Sequence, residues 1–179
     1  MALGASVLVA HAGGMVKDGE SRDALAKVSL DSLSELCAFC GQLGLAIAVE
    51  NTLPTAPRIG DTVPELVRMV ECLEGDHVGC CLDTSHANLS GDVTTAVGMV
   101  ADRLLTLHVS DNDGRTDQHA LPFEGTIDWG GFMNALNRTR YAGVFMMELR
   151  GGPDPEWTLK EAVARFERLL ALGYSASSP

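Results

Sequence analysis

Five short apolar runs constrain the fold of this chain most strongly, because each is followed at once by a residue that can bind a metal. The runs cover residues 6–10, 45–49, 78–82, 104–107 and 144–147. The residues that end them are, in order, His11, Glu50, Asp83, His108 and Glu148. The runs are apolar throughout instead of alternating, which is typical of strands buried on both faces of a parallel sheet.

Amphipathic segments separate the runs, and the spacing is that of β-α units. Such units predict right-handed crossovers and a parallel sheet, so all five strand ends should point to one edge. Chemistry gathers at that edge in α/β folds. A purely structural role would leave unexplained why every buried run stops at a ligand-type residue.

The predicted helices have recognisable N-terminal signals. The first covers about residues 21–43 and ends at Gly44, and the others begin with Thr62 (three residues before Glu65), Asp92, Asp128, and Asp154 followed by Pro155. Hydroxyl and carboxylate side chains cap helices well, and proline is favourable at the first helical position. Apolar stripes predicted to face the sheet include Val28 and Leu43 in the first helix and Val163 and Leu170 in the last. The tail, residues 175–179, is predicted to fray.

The length of 179 residues predicts a single domain, residues 1–179, which is short for a closed eight-stranded barrel of about 250 residues. Five cysteines at positions 37, 40, 72, 80 and 81 lie on apolar segments and are predicted to belong to the core. No apolar run has the roughly 18 residues of a membrane span. The N-terminal residues 1–10 lack a basic region and are interpreted as the first strand, so we expect a cytoplasmic protein.

The formal net charge of -11 bears on the partner. Phosphate contacts need clustered Lys and Arg, whereas the 13 basic residues here are scattered, so a nucleic-acid partner is not expected. Acidity favours divalent cations and neutral small substrates.

Three runs of sequence resemble a known family. They are L-D-T-S-H at 82–86, H-V-S-D-N-D-G at 108–114 with D-Q-H at 117–119, and E-G-T-I-D-W at 124–129. Together they resemble the xylose isomerase-like (β/α) barrel superfamily, which includes sugar and sugar phosphate isomerases and epimerases of carbohydrate metabolism. The resemblance implies an α/β fold, an incomplete TIM barrel whose five parallel strands correspond to the fourth to eighth units, with nothing corresponding to the first three.

The resemblance also implies a metal site and a mechanism. Its ligands would be Glu50, Asp83, His108 and Glu148, a set that suits Mn²⁺, Mg²⁺, Co²⁺ or Zn²⁺. The cation would hold a ketone oxygen and a neighbouring hydroxyl and stabilise an enediolate, while Glu50 and Glu148 move the proton. Residues that would bind the sugar are His11, His86 and Arg150, and additional ligands could come from His86, Asp117 and His119. For Arg150, an ordinary surface position is the alternative.

Two alternatives remain open. One is metal-dependent phosphodiester cleavage, as in the endonuclease branch of the superfamily with its three-metal cluster, which would use His11, His86, Asp117 and His119 as further ligands. The other is a truncated remnant that keeps the metal site with little turnover. The sequence also departs from the family after D-Q-H, because Phe123 stands where glycine is usual, so the loop is expected to sit differently.

Assembly follows from the strand number. Five strands would leave the first and the last with unpaired edges, and apolar surface would be uncovered. We therefore expect a homodimer that covers the open sides of the barrel.

Overall fold

The computed structural model describes residues 4–174, in which five parallel strands form one open sheet in sequential order. The strands are β1 (Val7–His11), β2 (Ala46–Glu50), β3 (Val78–Asp83), β4 (Leu104–Val109) and β5 (Val144–Met147). Strand directions and order match those of a half-barrel, so the predicted incomplete TIM barrel is confirmed. The C-terminal tail that was predicted to fray lies outside the described residues.

Helices connect the strands. They are α1 (Arg22–Gln42), α2 (Val63–Glu71), α3 (Thr84–Ser90), α4 (Val93–Val100), α5 (Trp129–Thr139) and α6 (Pro155–Tyr174), with a short 3-10 turn at Ala101–Arg103. Thr62, Asp92 and Asp128 accept the predicted capping hydrogen bonds from Glu65, Thr95 and Gly131. Helix α3 was not predicted, and its cap is the strand-terminal Asp83. No helix within residues 4–174 is long and apolar enough to cross a membrane.

The two faces of the sheet carry side chains of different size. Residues in register on parallel strands share a face, so Ile47, Val49, Leu82 and Leu107 lie on the face that packs against helices, where all four are fully buried. The face that carries Glu50 is built from small residues on the central strands. These are Ala46, Ala48, Gly79, Cys81 and Thr106. This face is the one that turns toward the barrel interior.

A bulge in β4 decides which face His108 occupies. Cys80 pairs with Leu104 and Cys81 pairs with Thr106, so Leu105 is an extra residue in β4. Side chains alternate along a strand, and one inserted residue reverses the alternation beyond it. His108 is therefore in register with Asp83 on the interior face. Without the extra residue, Leu107 would lie opposite Asp83, and His108 would point toward the helices.

Gly79 makes room for this bulge. A Cβ atom at position 79 would lie 2.6 Å from Leu105 Cγ and 2.3 Å from the carbonyl oxygen of Arg103. The carbonyl belongs to the backbone that leads into β4, so it cannot move cheaply. Gly79 is thus required by close approach and not by an unusual backbone angle.

The structure corrects the predicted core in two respects. Cys72 is exposed, because it follows the last residue of α2, whereas the other four cysteines are buried. Val28 and Leu43 of α1, and Val163 and Leu170 of α6, are also exposed. Helices α1 and α6 lie over the two ends of the open sheet, so each has a packing neighbour on one side only.

We predict that Gly79→Ala lowers the free energy of unfolding by about 1–3 kcal/mol, because the added methyl group overpacks the bulge. Gly98→Ala is the matched control. Gly98 lies in α4 with no atom within 4 Å of the added Cβ, so alanine there should leave stability unchanged or raise it by about 0.5–1 kcal/mol. Urea unfolding measures both, and equal effects would contradict the role given to Gly79.

Candidate metal centre

Four residues from four strand ends meet at one point. Glu50, Asp83, His108 and Glu148 each offer a ligand atom, and these atoms all lie within 4.8 Å of one another. His108 Nδ1 is 3.0 Å from Glu50 Oε1 and 2.9 Å from Glu148 Oε2. The structure thus brings together the four residues that the sequence singled out as metal ligands.

Three of the four side chains are largely buried, and the cluster is open to solvent at Glu148. The side chains of Asp83, Glu50 and His108 are 0%, 5% and 13% exposed, whereas that of Glu148 is 45% exposed. The hydrogen bond to Glu50 raises the pKa of His108, because the imidazolium is stabilised between two carboxylates.

The hydrogen bonding of Asp83 shows that a cation would fit among these residues. Its Oδ1 accepts the backbone N–H of His86 at 2.8 Å, whereas Oδ2 is buried and has no hydrogen-bond partner among the described residues. Burial raises the pKa of Asp83 to about 6. An unpaired buried carboxylate oxygen is costly unless it is protonated or faces a positive charge. Three carboxylates with one imidazole therefore fit a divalent cation.

Asn51 positions Asp83 and was missed as a functional residue in the sequence. Its amide accepts the backbone N–H of Asp83 at 2.9 Å and donates to the backbone carbonyl of the same residue at 3.1 Å. The carbonyl of Asn51 also accepts a hydrogen bond from His86 Nδ1 at 2.9 Å. A buried amide directly after the strand-terminal Glu50 was the signal that could have identified it.

A second cluster lies beside the first. His86, Asp117 and His119 offer ligand atoms within 4.8 Å of one another. The Nδ1 atoms of both histidines donate to backbone carbonyls, those of Asn51 and Glu148, which leaves both Nε2 atoms facing Asp117 Oδ2 at 3.7 and 3.0 Å. With Nδ1 donating to a carbonyl, a neutral ring keeps Nε2 free to bind a metal, whereas a protonated ring donates Nε2–H to the carboxylate, as at the 3.0 Å contact of His119 with Asp117. The three predicted additional ligands therefore form a cluster of their own, separate from the first.

The two remaining predicted residues lie outside both clusters. His11, on the edge strand β1, has a 66% exposed side chain whose Nε2 is 3.6 Å from Glu50 Oε2. Arg150 is exposed in the loop after β5, where its backbone N–H donates to the His119 carbonyl at 2.9 Å. In the part of the chain that the structure describes, neither residue belongs to a group of ligand atoms that could hold a metal.

The acidic loop after β4 is held by Asp111, which is fully buried and serves as a structural acceptor. Its carboxylate accepts the indole N–H of Trp129 at 2.9 Å and the backbone N–H of Phe123 at 3.0 Å. Phe123 adopts the left-handed conformation, with φ 75°, that glycine usually supplies. Its ring packs on Trp129 and under the Arg168 guanidinium, 3.8 Å from the ring centroid. These contacts offset the backbone strain.

A model of the xylose isomerase-like TIM barrel family matches residues 1–169. The chain belongs to this family. Among curated relatives of this xylose isomerase-like chain, fructoselysine 3-epimerase of Shigella flexneri is 23% identical over 143 residues, covering 78% of this chain and 52% of the relative. A probable endonuclease 4 of Methanoculleus marisnigri is 28% identical over 151 residues, covering 75% and 53%. The chain spans about half the length of these curated relatives.

Solved structures show the same fold. A D-tagatose 3-epimerase-like protein superimposes with a TM-score of 0.80 at 22% identity, covering 93% of this chain and 64% of that one. The IOLI protein, whose structure contains a bound zinc atom, superimposes with a TM-score of 0.77 at 22% identity, covering 99% and 66%. At this identity the likeness establishes the fold alone.

We predict that a divalent cation raises the melting temperature and that Asp83→Asn abolishes this rise. Without added metal the variant should be as stable as the parent or more so, because it removes a buried charge and asparagine still caps α3. Asp102→Asn, at an exposed position, is the control that should keep the full rise. Thermal unfolding with Mn²⁺, with Zn²⁺ and with a chelator measures the effect. An equal rise in both variants would show that Asp83 holds no metal.

Proposed function

We propose that the chain is a divalent-metal-dependent epimerase or isomerase of sugars or sugar phosphates. The observation that carries the proposal is the pair of carboxylates, Glu50 and Glu148, that flank His108 at 3.0 and 2.9 Å beside the unpaired oxygen of Asp83. Epimerisation needs two groups that can exchange a proton with one carbon from two sides. Epimerases among the relatives and structural neighbours support the same reaction class.

The residues have distinct roles in this proposal. Glu50, Asp83, His108 and Glu148 would hold the cation, for which Mn²⁺, Mg²⁺, Co²⁺ and Zn²⁺ all suit the donor set. When bound, the cation supplies Lewis acidity that makes the C–H bond next to a ketose carbonyl more acidic.

Proton transfer falls to the two glutamates. One carboxylate takes the proton from the carbon next to the carbonyl, and the other returns a proton to the opposite face, or to the adjacent carbon in an isomerisation. Such general acid-base steps contribute on the order of 10²- to 10⁴-fold in rate. Glu148 is the more exposed of the pair, which makes it the carboxylate that exchanges protons with water most readily.

We predict that Glu148→Gln lowers proton exchange at the substrate carbon by about 10²-fold or more while metal occupancy falls much less. An amide oxygen can still bind a cation, but it cannot accept a proton at neutral pH. The measurements are solvent-deuterium incorporation into D-tagatose, D-fructose and D-allulose, and metal content after dialysis. Glu167→Gln, an exposed change on α6, is the control. If proton exchange were unchanged in the Glu148 variant, Glu148 would have no role in proton transfer and could serve only as a metal ligand.

A second candidate is metal-dependent phosphodiester cleavage. The observation that favours it is the second cluster of His86, Asp117 and His119, which could hold another cation close to the first. The endonuclease 4 relative supports this reading, whereas the net charge of -11 opposes binding to a nucleic acid. Cleavage of an abasic-site duplex without deuterium incorporation into sugars would favour this candidate over the first. If the chain bound a metal but showed neither deuterium exchange nor duplex cleavage, it would match the truncated remnant with little turnover.

We also propose that the chain pairs with a second copy of itself. Strands β1 and β5 each pair on one side only within the described residues, and they carry the exposed apolar side chains of Leu8, Val144 and Met146. His11, whose Nε2 is 3.6 Å from Glu50, is the last residue of β1, and Glu148, the most exposed of the four clustered residues, directly follows β5. A two-fold partner across this side would cover apolar surface and close the centre at once.

Light scattering at micromolar concentration tests this pairing. The expected mass is about twice the 18.9 kDa of one chain. Met146→Lys should shift the mass toward the monomer, because a charge on the open side opposes burial. Met99→Lys is the matched control, since Met99 on α4 has the same 47% exposure and lies away from both edges. A folded parent chain at 18.9 kDa would rule out the pairing.

A further inference from the structure

A cleft of about 270 Å³ opens beside the metal centre, between the loop after β4 and the start of α6. Residues in its wall include Gln118, His119, Glu124, Arg150, Trp157 and Thr158. His119 joins the cleft to the centre, because its Nδ1 donates to the carbonyl of Glu148 at 3.0 Å. A molecule held at the centre can therefore extend into the cleft.

Trp157 gives the cleft an apolar wall. It lies in the first turn of α6, where its backbone N–H donates to Asp154 Oδ1 at 3.0 Å, and it is 53% exposed. The other tryptophan, Trp129, is 3% exposed and bound to Asp111. The wall also contains Gly151 and Gly152, which present no side chain to fill the space. An exposed indole beside a side-chain-free wall is suited to stacking on a flat ligand face.

Arg150 gives the cleft an available positive charge. It is the only Lys or Arg among the described residues that line the cleft, and within residues 4–174 its guanidinium makes no ion pair or hydrogen bond. The carboxylate in the same wall, Glu124, is already paired with Arg165 at 3.7 Å. A free guanidinium is preorganised for two parallel hydrogen bonds to a carboxylate or a phosphate.

The wall also offers a neutral donor. Gln118 uses its side-chain oxygen to accept the backbone N–H of Asp113 at 2.8 Å, so the NH₂ group of the amide is left for the cleft. The metal centre contains three carboxylates, Glu50, Asp83 and Glu148, which would repel an anionic group on the ligand. The anionic part of a ligand would therefore lie at Arg150, away from Glu50 and Glu148.

We propose that this cleft binds an anionic group, phosphate or carboxylate, at the end of the ketose that is remote from the reacting carbon. Arg150 and Gln118 bind the anion, and Trp157 packs against the apolar face of the sugar chain. The inference rests on the proposed function, since it assigns a substrate class to the same site. It makes Arg150 a specificity-determining residue, with the proton transfer left to the glutamates.

Calorimetric titration of the full chain in Mn²⁺ tests the cleft. The probes are D-fructose 6-phosphate, D-fructuronate and D-fructose, and we expect at least one of the two anionic sugars to bind about tenfold or more tightly than D-fructose. Tighter binding of both identifies a general anion site, and tighter binding of the phosphate alone identifies a phosphosugar site. Arg150→Gln should remove the preference and Arg150→Lys should restore part of it.

Two further variants separate this proposal from alternatives. Arg115→Gln changes an exposed arginine of the loop after β4 and should keep the preference. Trp157→Ala should weaken the binding of all three sugars and leave the ratios of their affinities unchanged. Equal affinity for the three sugars in the parent chain, or a preference that survives Arg150→Gln, would overturn the proposal. If the preference for anionic sugars depends on Arg150 but no deuterium is incorporated, the anion-binding cleft is supported and the proposed epimerase activity is contradicted.

Discussion

The buried carboxylate of Asp83 is the interaction on which the rest of the site depends. It lies at the end of the central strand, is fully buried, and keeps one oxygen without a donor. The surrounding polypeptide is arranged to keep it there, since Asn51 holds its backbone from the neighbouring strand and α3 is capped by its other oxygen. A buried carboxylate with an unpaired oxygen costs free energy in the fold, and the same oxygen is available as a candidate cation ligand.

The geometry of the sheet serves the same end. The bulge at Leu105 places His108 on the face of Asp83, and Gly79 is required for the bulge to pack. Small residues on the interior face leave space around the four clustered side chains. The large apolar residues face the helices, where most of the core lies. Stability thus comes mainly from the helix-packed face, and the interior face is left to the metal centre. This division is typical of barrels, in which strand ends carry the chemistry.

Much of this arrangement can be predicted from the sequence because it depends on local pattern. Uninterrupted apolar runs that stop at ligand-type residues locate the strands and the four converging side chains, and capping residues locate the helix starts. The bulge escapes prediction, since L-L-T-L reads as one uniform strand. The conformation of Phe123 and the exposure of Val163 escape it as well, because they are set by distant partners such as Asp111 and by which helices have neighbours.

The most direct test of whether the four residues bind one divalent cation is a crystal structure. Crystals would be grown with Mn²⁺ or Zn²⁺, and anomalous scattering would be recorded at the absorption edge of the metal. One strong anomalous peak is expected, with oxygen or nitrogen atoms of Glu50, Asp83, His108 and Glu148 within about 2.0–2.6 Å. A weaker peak among His86, Asp117 and His119 would be compatible with this account. A metal bound at the second cluster alone, or no peak beside a fully loaded control protein, would contradict it.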